Sequence, residues 1–191
     1  MIGEIETWIL SMLQTLYDAW GWLGVALLLV FENATGITPS EIILGLAGWM
    51  LIEKHGHHPS IIFYGGLVAA FGSVIGSSIT YWAARLGGRP LVDKFAGWLR
   101  ISPAQICRVE TRFHRWGVWL VLIGRVIPGV RTLVSIPAGL ARMHYGIFTI
   151  MTFAGAYIWC TLLIGTGYAL GHEWPLISAY LKQALPYLVT L

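Results

Sequence analysis

Charged residues are scarce in this chain. Asp, Glu, Lys and Arg make up 11% of the 191 residues and hydrophobic residues make up 57%, whereas soluble domains usually carry about 25% charged residues. The 10 tryptophans and 8 tyrosines suit a protein with many contacts at membrane interfaces. This composition excludes an ordinary soluble domain and argues against nucleic-acid binding. It predicts an integral membrane protein whose residues 1–191 form one domain, since each crossing takes about 20 residues.

Several signatures of other protein classes are also missing. The two cysteines, Cys107 and Cys160, have neither the spacing nor the context of a disulfide or a metal site. The first residues, MIGEIETWILSMLQ, begin acidic and lack a small-residue cleavage site, so we do not expect a signal peptide.

Sequence motifs of enzymes are absent as well. The sequence contains no Gly-x-Ser-x-Gly, no His-Glu-x-x-His and no phosphate-binding glycine loop. Its segment RLGGRP lacks the downstream elements of a membrane phosphatase. We therefore expect no enzyme and no cofactor. The histidines His55, His57 and His58 fall in a predicted outer loop, where solvated side chains are a simpler interpretation than a metal site.

Two segments without any charged residue are long enough to cross a membrane. They are Ile61–Ala84 and Phe148–Leu170. The segment between them, Arg85–Arg115, is rich in Lys and Arg, which the positive-inside rule places in the cytoplasm. Residues 1–20 and 175–191 fit either a further span or a surface helix.

Two other apolar stretches are interrupted and look too short to cross. Residues 116–142 consist of two short arms around Pro128 and Gly129, and residues 19–52 consist of two arms around Gly36 and Pro39. A helix of ten residues rises about 15 Å, half of a hydrocarbon core of about 30 Å. Each stretch is therefore predicted to form a re-entrant helical hairpin.

The two hairpins are expected to enter from opposite sides. With the basic segment inside, the hairpin at 19–52 enters from outside and the hairpin at 116–142 enters from the cytoplasm. Paired, interrupted hydrophobic segments of this kind are typical of transporters built as inverted repeats. The predicted fold class is thus all-α and membrane-integral, with two opposed hairpins, spanning helices and pseudo-symmetry.

Four charged side chains interrupt these hairpins: Glu32, Glu41, Arg125 and Arg131. A lone ionised group at the bilayer centre costs ~2.5–3.5 kcal/mol by insertion scales, and such groups usually mark a transport path. Guanidinium offers phosphate oxygens a planar fork of donors. The sequence therefore predicts phosphate binding at the basic hairpin, by Arg125, Pro128, Gly129, Arg131 and Thr132.

The acidic hairpin is predicted to handle protons. Glu32 and Glu41 are candidate proton carriers, because a carboxyl group caught between burial and a nearby arginine can be poised to titrate. Further polar and turn residues of the same stretch would line the cavity: Asn33, Thr38, Pro39 and Ser40. The simpler alternative is that these glutamates and the arginines only pair to stabilise the fold.

Three motifs are specific in combination: FENATGITPSEIILGLAG, GSVIGSSITYWAARLGG and GRVIPGVRTLVSIPAGLARM. Together, from about Phe31 to Gly171, they resemble the DedA family, also called the SNARE-associated or VTT-domain family. The resemblance implies a multi-pass protein of the bacterial inner membrane that translocates lipid. It places the functional acidic pair on Glu32 and Glu41, and the arginine pair on Arg125 and Arg131.

The function expected from these observations is transport of undecaprenyl phosphate across the bacterial cytoplasmic membrane. The Ser-Glu and Pro-Gly-x-Arg-Thr versions of the motifs are closest to that branch of the family. Two alternatives stay open: a phospholipid translocase or scramblase, and a proton-coupled exporter of small cations. The expected partners are a membrane lipid and, where transport is coupled, protons; self-association is left open.

Overall fold

The computed structural model describes residues 2–36, 40–98, 117–127 and 130–171. Within these ranges the chain is helical and contains no strand, so the all-α prediction is confirmed. The predicted site residues Thr38, Pro39, Pro128 and Gly129 lie outside the described residues. The helices are α1 (Ile2–Thr35), α2 (Ser40–Gly48, continued by a π-helical turn at Trp49–Glu53), α3 (Ile61–Trp98), α4 (Gly117–Val126), α5 (Ser135–Leu140) and α6 (Tyr145–Leu170).

Three described helical segments are long and apolar enough to cross a membrane: Ser11–Thr35, Ile61–Gly88 and Tyr145–Leu170. The last two correspond to the two predicted spans. The first corrects the expectation that only two segments are long enough. The sequence suggested an apolar run that starts after Asp18, but this exposed side chain does not interrupt α1. The helix instead kinks at Gly21, where φ is +51°, and continues.

Helix α3 lies at the centre and contacts α1, α5 and α6. Its contact with α1 depends on two glycines one turn apart. A Cβ atom on Gly72 would collide with the carbonyl of Ala26, and one on Gly76 with the carbonyl of Val30. Small residues at this spacing allow helices in lipid to approach closely, where contact between side chains and backbone supplies much of the attraction.

The short helices α2 and α5 use the same kind of contact, each on a span from the other half of the chain. A Cβ atom on Gly48 in α2 would lie 2.9 Å from the backbone nitrogen of Tyr168 in α6. One on Gly139 in α5 would lie 3.2 Å from the backbone nitrogen of Arg85 in α3. The two halves are therefore interlocked, because each short arm packs against the long helix of the other half.

The chain turns back after α1 and again after α4. The hydroxyl of Tyr17 in α1 donates a hydrogen bond of 2.8 Å to the carbonyl of Ile43, so α2 returns beside α1. Helices α4 and α5 are separate elements, with Ile127 and residues 130–134 outside both. A Cβ atom on Gly124 would lie 2.5 Å from Cγ2 of Val134, so the residue before α5 packs directly on the backbone near the end of α4. Both changes of direction fall where the sequence predicted breaks.

Candidate functional site

A buried ion pair joins the two interrupted regions. Arg131, in the turn before α5, donates from Nη2 to Oε1 of Glu32 in α1. Glu32 is 2% exposed and Arg131 is 6% exposed. The other carboxylate oxygen of Glu32 accepts a hydrogen bond of 2.8 Å from Nδ2 of Asn33. The guanidinium group of Arg131 thus balances the charge of Glu32, and the amide of Asn33 donates a further hydrogen bond to it.

Arg125 in α4 is held differently. It is 2% exposed, and its Nη1 donates to Oδ1 of Asn33 at 2.9 Å while Nη2 donates to Oγ of Ser135 at 3.0 Å. Both acceptors are neutral, and among the residues that the structure describes the buried Nε has no hydrogen-bond partner. No described carboxylate forms an ion pair with this arginine. In the described part of the chain Arg125 is therefore held by neutral groups, and its Nε donor is unused.

Close approach of α6 fixes the position of Arg125. A Cβ atom on Gly155 would lie 2.6 Å from the Cβ of Arg125 and 2.9 Å from the carbonyl oxygen of Leu122. Only a residue without a side chain fits there. The position of Arg125 is thus fixed by contact with α6 on one side and by the hydrogen bonds to Asn33 and Ser135 on the other.

The turns that follow α1 and precede α5 lie against each other. Gly36 ends α1 with φ of +72°, in the left-handed region that glycine tolerates best. A Cβ atom on it would lie 3.9 Å from Oγ1 of Thr132, which follows Arg131. The structure therefore brings together five of the residues singled out from the sequence: Glu32, Asn33, Arg125, Arg131 and Thr132.

Glu41 and Ser40, at the start of α2, lie at the edge of this group. Glu41 is half-buried and close enough to Glu32 for their charges to interact. It forms no ion pair with another described residue. Ser40 is fully buried, and its Oγ has no hydrogen-bond partner in the described part of the chain. The two glutamates are thus not equivalent. In the described part of the chain, Glu32 bonds directly to Arg131, a residue predicted to bind phosphate, and Glu41 does not bond to either arginine.

Several site residues were not predicted. On α3, Ser73 and Ser77 contact the side chain of Asn33, at 3.4 and 3.3 Å. Ser135 holds Arg125, and Cys160 of α6 lies within hydrogen-bonding reach of Ser73. The only sequence signal for the two α3 serines is their position beside the glycines of GSVIGSS, since small residues on a membrane helix favour close approach of another helix. For Ser135 and Cys160 the sequence carries no such signal.

The arrangement is suited to binding an anion. Among the described residues, two buried guanidinium groups lie close to one fully buried carboxylate, which pairs with Arg131 and not with Arg125, and the other groups that contact them are a hydroxyl and an amide. In a site with little water such donors act more strongly on a charged ligand than they would in solution. Among the described residues, no group of three His, Cys, Asp or Glu side chains is arranged to hold a metal ion.

Comparison with known proteins identifies the family. A VTT domain profile matches residues 38–169. The chain is 36% identical to undecaprenyl phosphate transporter A of Bacillus subtilis, over 91% of this chain and 80% of that protein. It is 32% identical to the transporter of the same name from Staphylococcus aureus, over 82% and 77%.

A third relative carries a different name. It is an alkaline phosphatase-like protein of Lactococcus lactis subsp. lactis, 35% identical over 87% of this chain and 78% of that protein. No solved structure matches the chain significantly. The profile covers well over half of the chain, and these relatives align along most of their own length. The chain therefore belongs to the VTT-domain, or DedA, family of membrane proteins.

Proposed function

We propose that this protein is a transporter that flips undecaprenyl phosphate from the outer to the inner leaflet of the bacterial cytoplasmic membrane. Arg125 and Arg131 would hold the phosphate, with Thr132 and the Pro128–Gly129 turn beside it. Membership of the family and the names of two similar proteins support the substrate class. The geometry around the arginines supports an anion.

The observation that carries the proposal is the state of Arg125. A buried charge without an ion-pair partner is costly, and among the described residues Arg125 has only neutral acceptors and an Nε without a partner. A phosphate group would supply the missing negative charge and accept from the free donor. Phosphate also matches guanidinium in geometry, since two of its oxygens fit the planar fork. A small cation would be repelled by the same arrangement.

The surroundings of α4 suit a lipid substrate. Trp119 and Ile123 on this helix and Ile127 just beyond its end recur at intervals of four residues and are 62%, 49% and 46% exposed. An exposed apolar stripe on a membrane helix faces lipid tails. The polyprenyl chain would therefore stay in the bilayer beside α4 while the phosphate reaches Arg125. The two turns would be the tips of re-entrant hairpins that meet within the membrane.

The Glu32–Arg131 ion pair supplies a route to proton coupling. The carboxylate and a substrate phosphate compete for the same guanidinium group, so phosphate binds more readily when Glu32 is neutral. Uptake of a proton by Glu32 would release Arg131 for the substrate. Lipid phosphate and proton would then move together, and an acidic outer surface would drive transport towards the inner leaflet.

Leaflet-specific transport by the purified protein tests the proposal. Liposomes would contain a fluorescent undecaprenyl phosphate whose outer-leaflet fraction is measured by chemical quenching, and parallel liposomes would contain labelled phosphatidylethanolamine. We expect rapid movement of the prenyl phosphate and slow movement of the phospholipid. Equal rates for both lipids would favour a scramblase. Movement of neither lipid would contradict the proposal.

A further inference from the structure

Asn33 connects the two arginine sites. Its Nδ2 donates to Oε2 of Glu32 at 2.8 Å, and its Oδ1 accepts from Nη1 of Arg125 at 2.9 Å. It is 3% exposed. Through this amide the chain of contacts runs from Arg131 to Glu32, Asn33 and Arg125, and on to Ser135. Three segments of the protein, namely α1, α4 and the turn leading into α5, are thus connected through this amide.

The orientation of the amide is fixed by its partners. Arg125 has only donors, so the oxygen of Asn33 must face it, and an ionised Glu32 has only acceptors, so the nitrogen must face it. The same nitrogen also donates to the carbonyl of Leu29 at 2.9 Å. Hydrogen bonds to charged groups are the strong ones. The bond from Asn33 to Glu32 is therefore strong only while Glu32 is ionised. The bond from Arg125 to Asn33 persists only while no anion competes for that guanidinium group.

We propose that Asn33 is a positioning residue that transmits the charge state of Glu32 to Arg125. When Glu32 takes up a proton, its bond from the amide weakens, and Asn33 can turn and release Nη1 of Arg125. One proton would then free donors on both arginines: on Arg131 directly and on Arg125 through Asn33. This inference rests on the proposed function and adds how the two arginines come to bind one phosphate together.

The charged and titratable groups around Glu32 allow this. Arg131 and Arg125 face it from the turn before α5 and from α4, Glu41 faces it from α2, and its charge also reaches Cys160 of α6. Described residues of α3 present hydroxyl groups to Asn33 and no charged group. Among the described residues Arg125 has no acidic hydrogen-bond partner of its own, so the Asn33 amide is its hydrogen-bonded link to Glu32.

A double-mutant cycle tests the relay. The affinity for farnesyl phosphate, a short prenyl monophosphate, would be measured for the full-length protein in nanodiscs, with Glu32→Gln, Arg125→Lys and both together. Sites linked by such networks usually show coupling of about 5–150-fold. With Asn33 present, we expect the effects of the Glu32 and Arg125 substitutions on affinity to be coupled by at least about fivefold. When Asn33→Ala is added, the coupling factor should fall to about one, so that the two substitutions act independently.

Two further variants make the result interpretable. Asn33→Leu keeps the volume of the side chain without polar atoms, and it should also abolish coupling if the alanine variant folds poorly. Thr80→Ala removes a hydrogen bond to the backbone carbonyl of Asn33, at 3.2 Å, but leaves the amide in place. Coupling should survive this change.

The outcomes separate the two proposals. Equal coupling with and without the Asn33 amide would overturn the relay, even if the protein transports lipid. Loss of coupling in Thr80→Ala as well would reduce Asn33 to a structural residue and would also count against it. Failure of the unmodified protein to bind farnesyl phosphate would instead contradict the proposed function.

Discussion

Glu32 and Arg131 lie 99 positions apart in the sequence and form a buried ion pair. The pair ties the end of α1 to the turn before α5, so the two interrupted regions are held together by opposite charges. A buried pair of this kind adds little to stability by itself, but removing one partner costs about 3–5 kcal/mol. A phosphate ligand, as an anion, would take the place of the Glu32 carboxylate beside Arg131.

The first prediction concerns the guanidinium fork. Arg125→Lys and Arg131→Lys keep the charge but lose the planar set of donors. Each should slow undecaprenyl phosphate transport by about tenfold or more, since a hydrogen bond to a charged group contributes about 1.5–3 kcal/mol. The measurement is the initial rate of flipping in liposomes.

The matched control is Arg142→Lys, an exposed residue beyond α5, which should transport normally. Natural rates in both central variants would make a forked phosphate contact untenable.

The second prediction separates proton-coupled transport from passive exchange. Glu32→Gln imitates the neutral carboxyl group and removes the charge that competes for Arg131. Exchange of prenyl phosphate across a symmetric membrane should survive, whereas accumulation driven by a pH gradient should be lost. Glu41→Gln is the companion variant, and its effect should be smaller because Glu41 contacts neither arginine in the described part of the chain. Undiminished gradient-driven uptake in both would remove the proton role.

The third prediction tests the wedge behind Arg125. Gly155→Ala places a methyl group 2.6 Å from the Cβ of Arg125, which overpacks the contact at a cost of about 1–3 kcal/mol. The melting temperature and the transport rate should both fall. On the same helix, Gly165→Ala has its nearest neighbour at 3.8 Å and should change neither. Normal transport by Gly155→Ala would mean that the position of Arg125 is not critical.

The fourth prediction concerns stability alone. Gly48→Ala forces a methyl group into the backbone of α6, whereas Gly45→Ala, one turn earlier in α2, meets nothing within 4 Å. We expect Gly48→Ala to destabilise the folded protein by about 1–3 kcal/mol, and Gly45→Ala to be neutral or to stabilise it by about 0.5–1 kcal/mol. Thermal unfolding in detergent gives the comparison, and equal melting temperatures would contradict the observed packing of α2 on α6.

The fifth prediction concerns depth in the membrane. If both interrupted regions are re-entrant, Pro39, Pro128 and the charged residues between the arms lie within about 10 Å of the bilayer midplane, well inside a half-core of about 15 Å. Spin labels at Phe31 and Ile127, each exposed beside the site, should therefore report deep positions. A label at Leu86, near the end of the α3 span, should be shallow. Labels at Phe31 and Ile127 that report headgroup depth would exclude the hairpins.

Sequence reasoning located the long helices and the meeting of opposite charges. The spans at 61–84 and 148–170 follow from uninterrupted apolar runs, and the approach of Glu32 to Arg131 follows from the cost of leaving either charge alone in lipid. The length of α1 was underestimated because one acidic residue, Asp18, was given too much weight. An exposed acidic side chain in the middle of a helix does not stop the backbone hydrogen bonds.

The partner of Arg125 was not predictable in the same way. The simpler alternative from the sequence was that the two arginines pair with Glu32 and Glu41, but among the described residues an amide and a hydroxyl hold Arg125. Which polar group faces a buried arginine depends on how the helices are rotated against one another, and that rotation is set by the glycine contacts of α3 and α6. A serine such as Ser135 looks the same in sequence whether it faces a guanidinium group or not.

Each short helix packs on a long helix of the other half of the chain, α2 on α6 and α5 on α3. This arrangement determines an order of assembly during synthesis. Ribosomes deliver the chain from its N-terminus, so α2 emerges long before the surface of α6 against which Gly48 packs. Glu32 likewise emerges before Arg131. The first half must therefore wait in the membrane with an unpaired acid and an undocked arm: Glu32 can pair once Arg131 has emerged, and α2 can dock only after α6 has followed.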